Sequence, residues 1–161
     1  MGPVLTSLRP RQWTKNLVVF AALFFSEKQV LFVSAAWLYA GIGFCIFCGL
    51  SGTVYLLNDL IDREKDKLHP EKRHRPIASG KLPVSEAKTI FVFILVICLL
   101  LSAQMPKLFF ISALAYFLMN LAYSFWLKNV VILDVLSIAI GFVLRAQAGV
   151  GAIQTIDPRI Y

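Results

Sequence analysis

The sequence predicts an all-α membrane protein: a bundle of about five transmembrane helices forming a single membrane domain over residues 1–161. Three observations carry this expectation. Of the 161 residues 58% are hydrophobic and the mean hydropathy is +0.73, well above an average soluble domain. Residues Gln29 to Asn58 form a 30-residue run without a charge, longer than the roughly 20 apolar residues that cross a bilayer. Finally, the lysines and arginines behind the net charge of +7 lie in short stretches between apolar runs. That distribution points to membrane topology and excludes a basic domain built to hold nucleic acid.

Residues 1–16 read as a cytosolic lead-in, broken by Pro3 and Pro10, with Trp13 where an interfacial aromatic belongs. No small-residue cleavage site follows the first apolar run, so that run is expected to remain in the membrane. Leu17–Phe25 is apolar but brief, and with Glu27 and Lys28 behind it the first span must begin near Arg11 or Gln12, giving a short, tilted helix. The second span lies within about 33–57, where Gly41, Gly43, Gly49, Ser51 and Gly52 allow close helix approach.

Residues 59–88 hold the long polar segment, and its Asp-rich part, 58–85, is expected to form a cytosolic loop. Pro70, Pro76, Gly80 and Pro83 interrupt helix there, and Ser85 followed by Glu86 reads as the cap of the third span, Thr89–Pro106. After the tight turn Met105-Pro106-Lys107, the fourth span runs Leu108–Leu127 and the fifth from about Val130 to Ile153. Distributing the basic residues over alternate sides of five spans puts twelve on the side of the N-terminus and the Asp-rich loop, and Lys28, Lys107 and Arg159 on the other. The positive-inside rule makes the first side cytosolic.

Chemistry concentrates in Asn58-Asp-Leu-Ile-Asp-Arg-Glu-Lys-Asp66. On a continuous helix Asp59, Asp62 and Asp66 stand at i, i+3 and i+7, within a sector of roughly 60°. Like charges so placed repel by a few tenths of a kcal/mol per pair, which suggests that a cation belongs there. Hard oxygen ligands suit Mg²⁺, an ion commonly completed by substrate phosphates. Arg73 and Arg75 can grip phosphate bidentately, and Lys72 and Lys81 add point charge. The constellation implies a diphosphate held by Mg²⁺ at the cytosolic mouth of the bundle; the plain alternative is a solvated charged loop.

Elsewhere the bland readings lead. Cys45, Cys48 and Cys98 are expected to be buried small residues, and His69 and His74 to be loop residues near the phosphate site and not zinc ligands. Asp134 either orients Lys128 or Tyr123 or is a helix-end charge. Arg145, an ionisable residue inside a span, is a functional candidate by default, but near the outer end the favoured expectation is that it snorkels toward the surface.

Asn58-Asp59-x-x-Asp62-x-x-x-Asp66, following the second span, resembles the first aspartate-rich motif of the UbiA superfamily of intramembrane prenyltransferases. Leu8-Arg-Pro-Arg-Gln-Trp-Thr-Lys-Asn16, Leu68-His-Pro-Glu-Lys-Arg-His-Arg-Pro-Ile-Ala-Ser-Gly80 and Leu121-Ala-Tyr-Ser-Phe-Trp-Leu-Lys-Asn129 are similar to its bacterial branch of decaprenyl-phosphate phosphoribosyltransferases. The resemblance implies a bacterial plasma-membrane transferase in cell-envelope precursor synthesis. In that reaction the oxygen of a polyprenyl phosphate attacks the ribose C1 of Mg²⁺-bound phosphoribosyl pyrophosphate, and pyrophosphate leaves. It implies that Asp59, Asp62 and Asp66, the catalytic set, hold the metal and with Asn58 the diphosphate. Lys15, Arg73, Arg75 and Lys128 become candidate phosphate contacts. Tyr123 and Lys128 correspond to a tyrosine and lysine of the family, separated here by four residues where other branches have three.

Family members are about twice as long, with a second Asp-rich motif in their later half, whereas only Asp134 and Asp157 follow Glu86 here. The chain is therefore expected to be the N-terminal part of a larger bundle, a partial UbiA-type fold that leaves room for a C-terminal half. Two alternatives accompany the phosphoribosyl reading: a prenyltransferase joining a polyprenyl diphosphate to an aromatic acceptor, and a non-catalytic truncated membrane module. A divalent-cation transporter is disfavoured, because a conducting path needs ionisable residues near mid-membrane.

Overall fold

The structure is a computed structural model and describes residues 2–26 and 28–154. Its elements in order are α1 (Pro3–Ser7), a 3₁₀ segment (Pro10–Phe20), α2 (Ala21–Phe25), α3 (Lys28–Leu31), α4 (Ser34–Ile61), α5 (Arg63–Leu68), α6 (Val84–Ser102), α7 (Lys107–Phe125) and α8 (Val131–Ile153). Short 3₁₀ turns at Lys72–His74 and Leu127–Asn129 complete the set, and no strand occurs among the described residues. Four of these helices, α4, α6, α7 and α8 from Ile132 onward, are long and apolar enough to cross a membrane.

The expected first span takes a different form. Pro10 starts a helix without needing its missing N–H, and the next eleven residues counted from it wind as 3₁₀ before α2 takes over. At about 2.0 Å per residue for 3₁₀ and about 1.5 Å for α, Pro10–Phe25 reaches roughly 30 Å, the thickness of the hydrocarbon layer. A stretched winding thus gives this short segment the reach that an α-helix of the same residues lacks. Its early part is no detached lead-in, since Ser7 and Asn16 are buried in the bundle.

Other boundaries shift for local reasons. The third span starts at Val84, directly after Pro83, and makes no side-chain cap, so Ser85 lies inside the first turn and accepts a bond from Thr89 Oγ1 at 3.1 Å through its carbonyl. It stops at Ser102, before Pro106 can interfere. Helix α4 carries through 28 residues and yields at Asp62, whose backbone (φ −86°, ψ 4°) falls in the sparsely allowed bridge region. The polar loop then resumes as α5 instead of unwinding at once.

Packing explains how the site is held. The main core gathers Val19, Phe47, Leu50, Phe109, Tyr116 and Ala148 from the 3₁₀ segment, α4, α7 and α8, with the Phe47 and Phe109 rings edge to face at 5.9 Å. Close approach depends on missing side chains: a Cβ on Gly149 would lie 2.1 Å from the Val19 carbonyl oxygen, and one on Gly151 2.5 Å from the Phe109 nitrogen. A second cluster beneath the loop joins Leu56 to Ile77, Leu82 and Ala87. Ile77 and Leu82 are therefore anchors, fixing the chain on either side of Gly80, whose φ of +77° suits a residue without a Cβ. Arg75, two residues before the Ile77 anchor, is thereby held over the end of α4.

Candidate functional site

Asp59 sits on the last turn of α4 and is 2% exposed; Asp66, on α5, is 3% exposed. Such burial is uncommon for carboxylates unless they are paired, and both are. Arg75 Nη1 donates to Asp66 Oδ2 at 2.7 Å and to Asp59 Oδ1 at 3.2 Å, so two carboxylates from separate helices converge on one positive charge. Arg9 Nη2 donates to the same Asp59 oxygen at 2.5 Å, with its guanidinium 4.9 Å above the Tyr55 ring. Arg9 adopts φ 51°, a left-handed conformation that costs a non-glycine residue about 1–3 kcal/mol. The strain falls on the residue that turns the chain into the 3₁₀ segment and delivers a guanidinium to Asp59.

The third aspartate looks elsewhere. The break in the helix at Asp62 turns its carboxylate to Lys128, whose Nζ donates to both oxygens at 2.9 Å. The continuous helical face expected for Asp59, Asp62 and Asp66 is thus split into a buried pair and a partner about a quarter exposed. Among the described residues no group of three His, Cys, Asp or Glu side chains is assembled to hold a metal ion. The buried pair nevertheless offers what Mg²⁺ requires of protein, one or two carboxylates with the remaining positions left to phosphate and water. Asp59 and Asp66 already share one cationic partner, so the donor set fits.

The remaining candidates divide. Arg75 and Lys128 join the aspartates, and Lys15 and Tyr123 line a cavity of about 230 Å³. Tyr123 donates its hydroxyl to Asp134 at 2.8 Å, which assigns Asp134 to Tyr123 and not to Lys128. Asn58 accepts the Asp62 N–H through its carbonyl at 2.9 Å. Arg73 is not brought in: it is exposed, and its Nε donates to His74 Nε2 at 3.4 Å. His69 Nδ1 accepts the Glu71 and Lys72 N–H groups and orders the turn. Glu64 faces solvent, where Lys67 donating to both its oxygens lowers its carboxyl below the usual range.

Several residues of consequence were not singled out by sequence reasoning. Arg9 and Asn16 lie inside the quoted Leu8–Asn16 stretch, but only Lys15 was taken from it. Arg145, expected to snorkel, is 7% exposed and held inside the bundle. Its Nε donates to Asn16 Oδ1 at 2.8 Å, Nη1 to the Gly141 carbonyl at 2.9 Å and Nη2 to Tyr116 Oη at 2.8 Å. Asn16 itself, fully buried, donates to Ser51 Oγ at 3.0 Å. Snorkelling fails because α8 packs against the 3₁₀ segment on that face, which closes the route to the surface. Cys45 also departs from expectation, being exposed, while Cys48 and Cys98 are buried.

Comparison with known proteins matches this arrangement to one family. The sequence profile of the UbiA prenyltransferase family matches residues 16–160. Decaprenyl-phosphate phosphoribosyltransferase of Corynebacterium glutamicum is 34% identical over 148 residues, covering 91% of this chain and 45% of that protein. Its counterpart from Mycolicibacterium smegmatis is 36% identical, with 91% and 46% covered. A UbiA homologue from Archaeoglobus fulgidus, solved bound to DMAPP and Mg²⁺, superposes with a TM-score of 0.80 at 25% identity over 94% of this chain and 54% of that one. The chain spans about half the length of the curated relatives it matches.

Proposed function

Because the chain belongs to the UbiA prenyltransferase family, we propose that it forms the Mg²⁺-diphosphate-binding wall of a membrane phosphoribosyltransferase that uses phosphoribosyl pyrophosphate and a polyprenyl phosphate. The observation that carries this reading is the convergence of buried Asp59 and Asp66 on a shared cationic partner, Arg75. The 33–36% identity to decaprenyl-phosphate phosphoribosyltransferases supports the choice of substrates.

In this reading Asp59 and Asp66, with Asp62 beside them, hold Mg²⁺, which when bound neutralises the charge developing on the leaving diphosphate. Arg75 and Lys128 are close enough to exchange carboxylate for phosphate oxygens, and Arg75 adds planar, bidentate geometry. Arg9 holds the Asp59 carboxylate in place through its ion pair. Asn58 contributes a neutral oxygen at the same helix end, Tyr123 is oriented by Asp134 toward the cavity wall, and Arg73 is an outer contact for phosphate arriving from solution. The membrane is the bacterial plasma membrane, with the N-terminus and the Asp-rich loop on the cytosolic side; residues 58–85 are the loop unit of one membrane domain.

A second reading has its own support, since the solved relatives hold DMAPP or GPP with Mg²⁺. In it the same aspartates grip a prenyl diphosphate destined for an aromatic acceptor. The two separate in membranes carrying the protein, given Mg²⁺ and either radiolabelled phosphoribosyl pyrophosphate with polyprenyl phosphate, or radiolabelled prenyl diphosphate with an aromatic acceptor. The first pair is expected to yield a labelled lipid. Label moving only in the second pair contradicts the phosphoribosyl reading.

A further inference from the structure

Arg145 is a buried cation without an anion. All its hydrogen-bond partners, Asn16, Gly141 and Tyr116, are neutral, and among the described residues every carboxylate in an ion pair is held by another cation. It lies on α8 at the level of Ser51 on α4, since Asn16 bridges the two. Ser51 is two helical turns from Asp59, about 12 Å at about 1.5 Å per residue. A charged side chain at such depth costs about 2.5–3.5 kcal/mol on insertion scales, and ionisable residues so placed ordinarily serve a ligand or a pathway.

The position has room for one. Arg145 lines the cavity of about 230 Å³ together with Ser51, Tyr55, Asn120 and the ammonium-bearing Lys15. Lys15 has no carboxylate within ion-pair distance among the described residues. The buried Arg145 and the exposed Lys15 therefore face one cavity of mixed polar and apolar lining. A guanidinium has more N–H donors than its three acceptors engage, and the planar fork suits phosphate oxygens. Nearby stacking of the guanidinium on the rings of Tyr116 (4.6 Å) and Phe142 (5.5 Å) fixes its plane in advance.

We infer that the Arg145–Lys15 cavity is an anion site separate from the aspartate site, and that it takes the phosphate monoester head of a polyprenyl phosphate. At about two helical turns from Asp59, Arg145 lies beyond the reach of a diphosphate held by the aspartates, while the cavity extends toward them as far as Tyr55, about one turn from Asp59. An apolar chain attached to the phosphate would leave through the bundle between helices, which a free sugar phosphate cannot do. The assignment names the acceptor subsite of the proposed transferase and rests on that reading for the word acceptor. The anion site itself needs no Mg²⁺, which keeps the two claims apart experimentally.

The test is binding of radiolabelled farnesyl phosphate to the 161-residue protein in nanodiscs with EDTA present, for wild type, Arg145→Gln, Arg145→Lys and Lys15→Gln. At least a tenfold loss of affinity is expected for Arg145→Gln, a partial recovery for Arg145→Lys, about a threefold loss for Lys15→Gln, and no saturable binding of farnesol in place of the phosphate. Competition by inorganic phosphate supports a site open to the free ion, and failure to compete supports one reserved for the lipid head; both uphold the dependence on Arg145. Unchanged affinity in Arg145→Gln, or farnesol binding as tightly as its phosphate, overturns the proposal. Should Arg145→Gln not fold, Lys15→Gln decides, and wild-type affinity there overturns it. Retained Arg145-dependent binding with no Mg²⁺-dependent capture of phosphoribosyl pyrophosphate leaves the anion site standing and sinks the transferase reading.

Discussion

Replacing Arg75 by alanine removes the charge that Asp59 and Asp66 share. Asp59 keeps Arg9, but Asp66, with its side chain 4% exposed, loses its one ion-pair partner among the described residues. A hydrogen bond to a charged group contributes about 1.5–3 kcal/mol. Arg75 is 27% exposed, so water can enter the vacated space, and we expect a loss of about 2 kcal/mol, toward the lower end of that range. The vacancy also leaves Asp66, and Asp59 on the side away from Arg9, open to a divalent ion. At a Mg²⁺ concentration a hundred times its dissociation constant, linkage returns about 2.7 kcal/mol, enough to offset the loss. Unfolding of wild type and Arg75→Ala in nanodiscs, with EDTA or with Mg²⁺, reads both effects. The variant should melt earlier in EDTA and recover most of the difference in Mg²⁺, and Asp59→Asn added to it should abolish that recovery. Equal melting in EDTA, or a Mg²⁺ effect indifferent to Asp59→Asn, would refute the shared-charge account.

Three further outcomes follow from the packing and pairing. Gly149→Ala pushes a methyl against the rigid Val19 carbonyl and should cost about 3 kcal/mol, whereas Gly41→Ala, with nothing within 4 Å, should gain about 0.5–1 kcal/mol from helix propensity; thermal unfolding compares them. A double-mutant cycle of Asp62→Asn and Lys128→Met should give a coupling of about 0.5–1 kcal/mol, small because each side chain is about a quarter exposed, and a coupling near zero would mean that the pair is not formed. Asn16→Leu strands the Arg145 Nε donor and the Ser51 contact, and should destabilise by about 1–3 kcal/mol, read as a lowered unfolding midpoint.

Hydrophobic run lengths were enough to read the spans, because lipid exposure demands composition and not particular contacts: α4, α6, α7 and α8 fall within a few residues of their expected bounds. The Asp-rich motif was legible for the same kind of reason, since carboxylates beside an uncharged run are conspicuous. The 3₁₀ winding of Pro10–Phe20 was not legible, because periodicity in so short a stretch cannot distinguish windings when tertiary packing chooses between them. Nor could spacing show that Asp62 would leave the other two aspartates, which depends on a single bridge-region backbone and on Lys128, 66 residues away. Arg145 was misread for a related reason. A lone arginine near a helix end snorkels by default, and only the three acceptors Asn16, Gly141 and Tyr116 show that this one is held inside. The 129-residue separation between Asn16 and Arg145 carries no local signal at all.

Asp59 and Asp66 are proposed to build a Mg²⁺-diphosphate site. It is tested most directly by equilibrium binding of radiolabelled phosphoribosyl pyrophosphate to the nanodisc-embedded protein, in Mg²⁺ and in EDTA, for wild type, Asp59→Asn and Asp66→Asn. Wild type should bind saturably in Mg²⁺ only, and each variant at least tenfold more weakly. Binding of equal strength in EDTA, or undiminished in both variants, would contradict it.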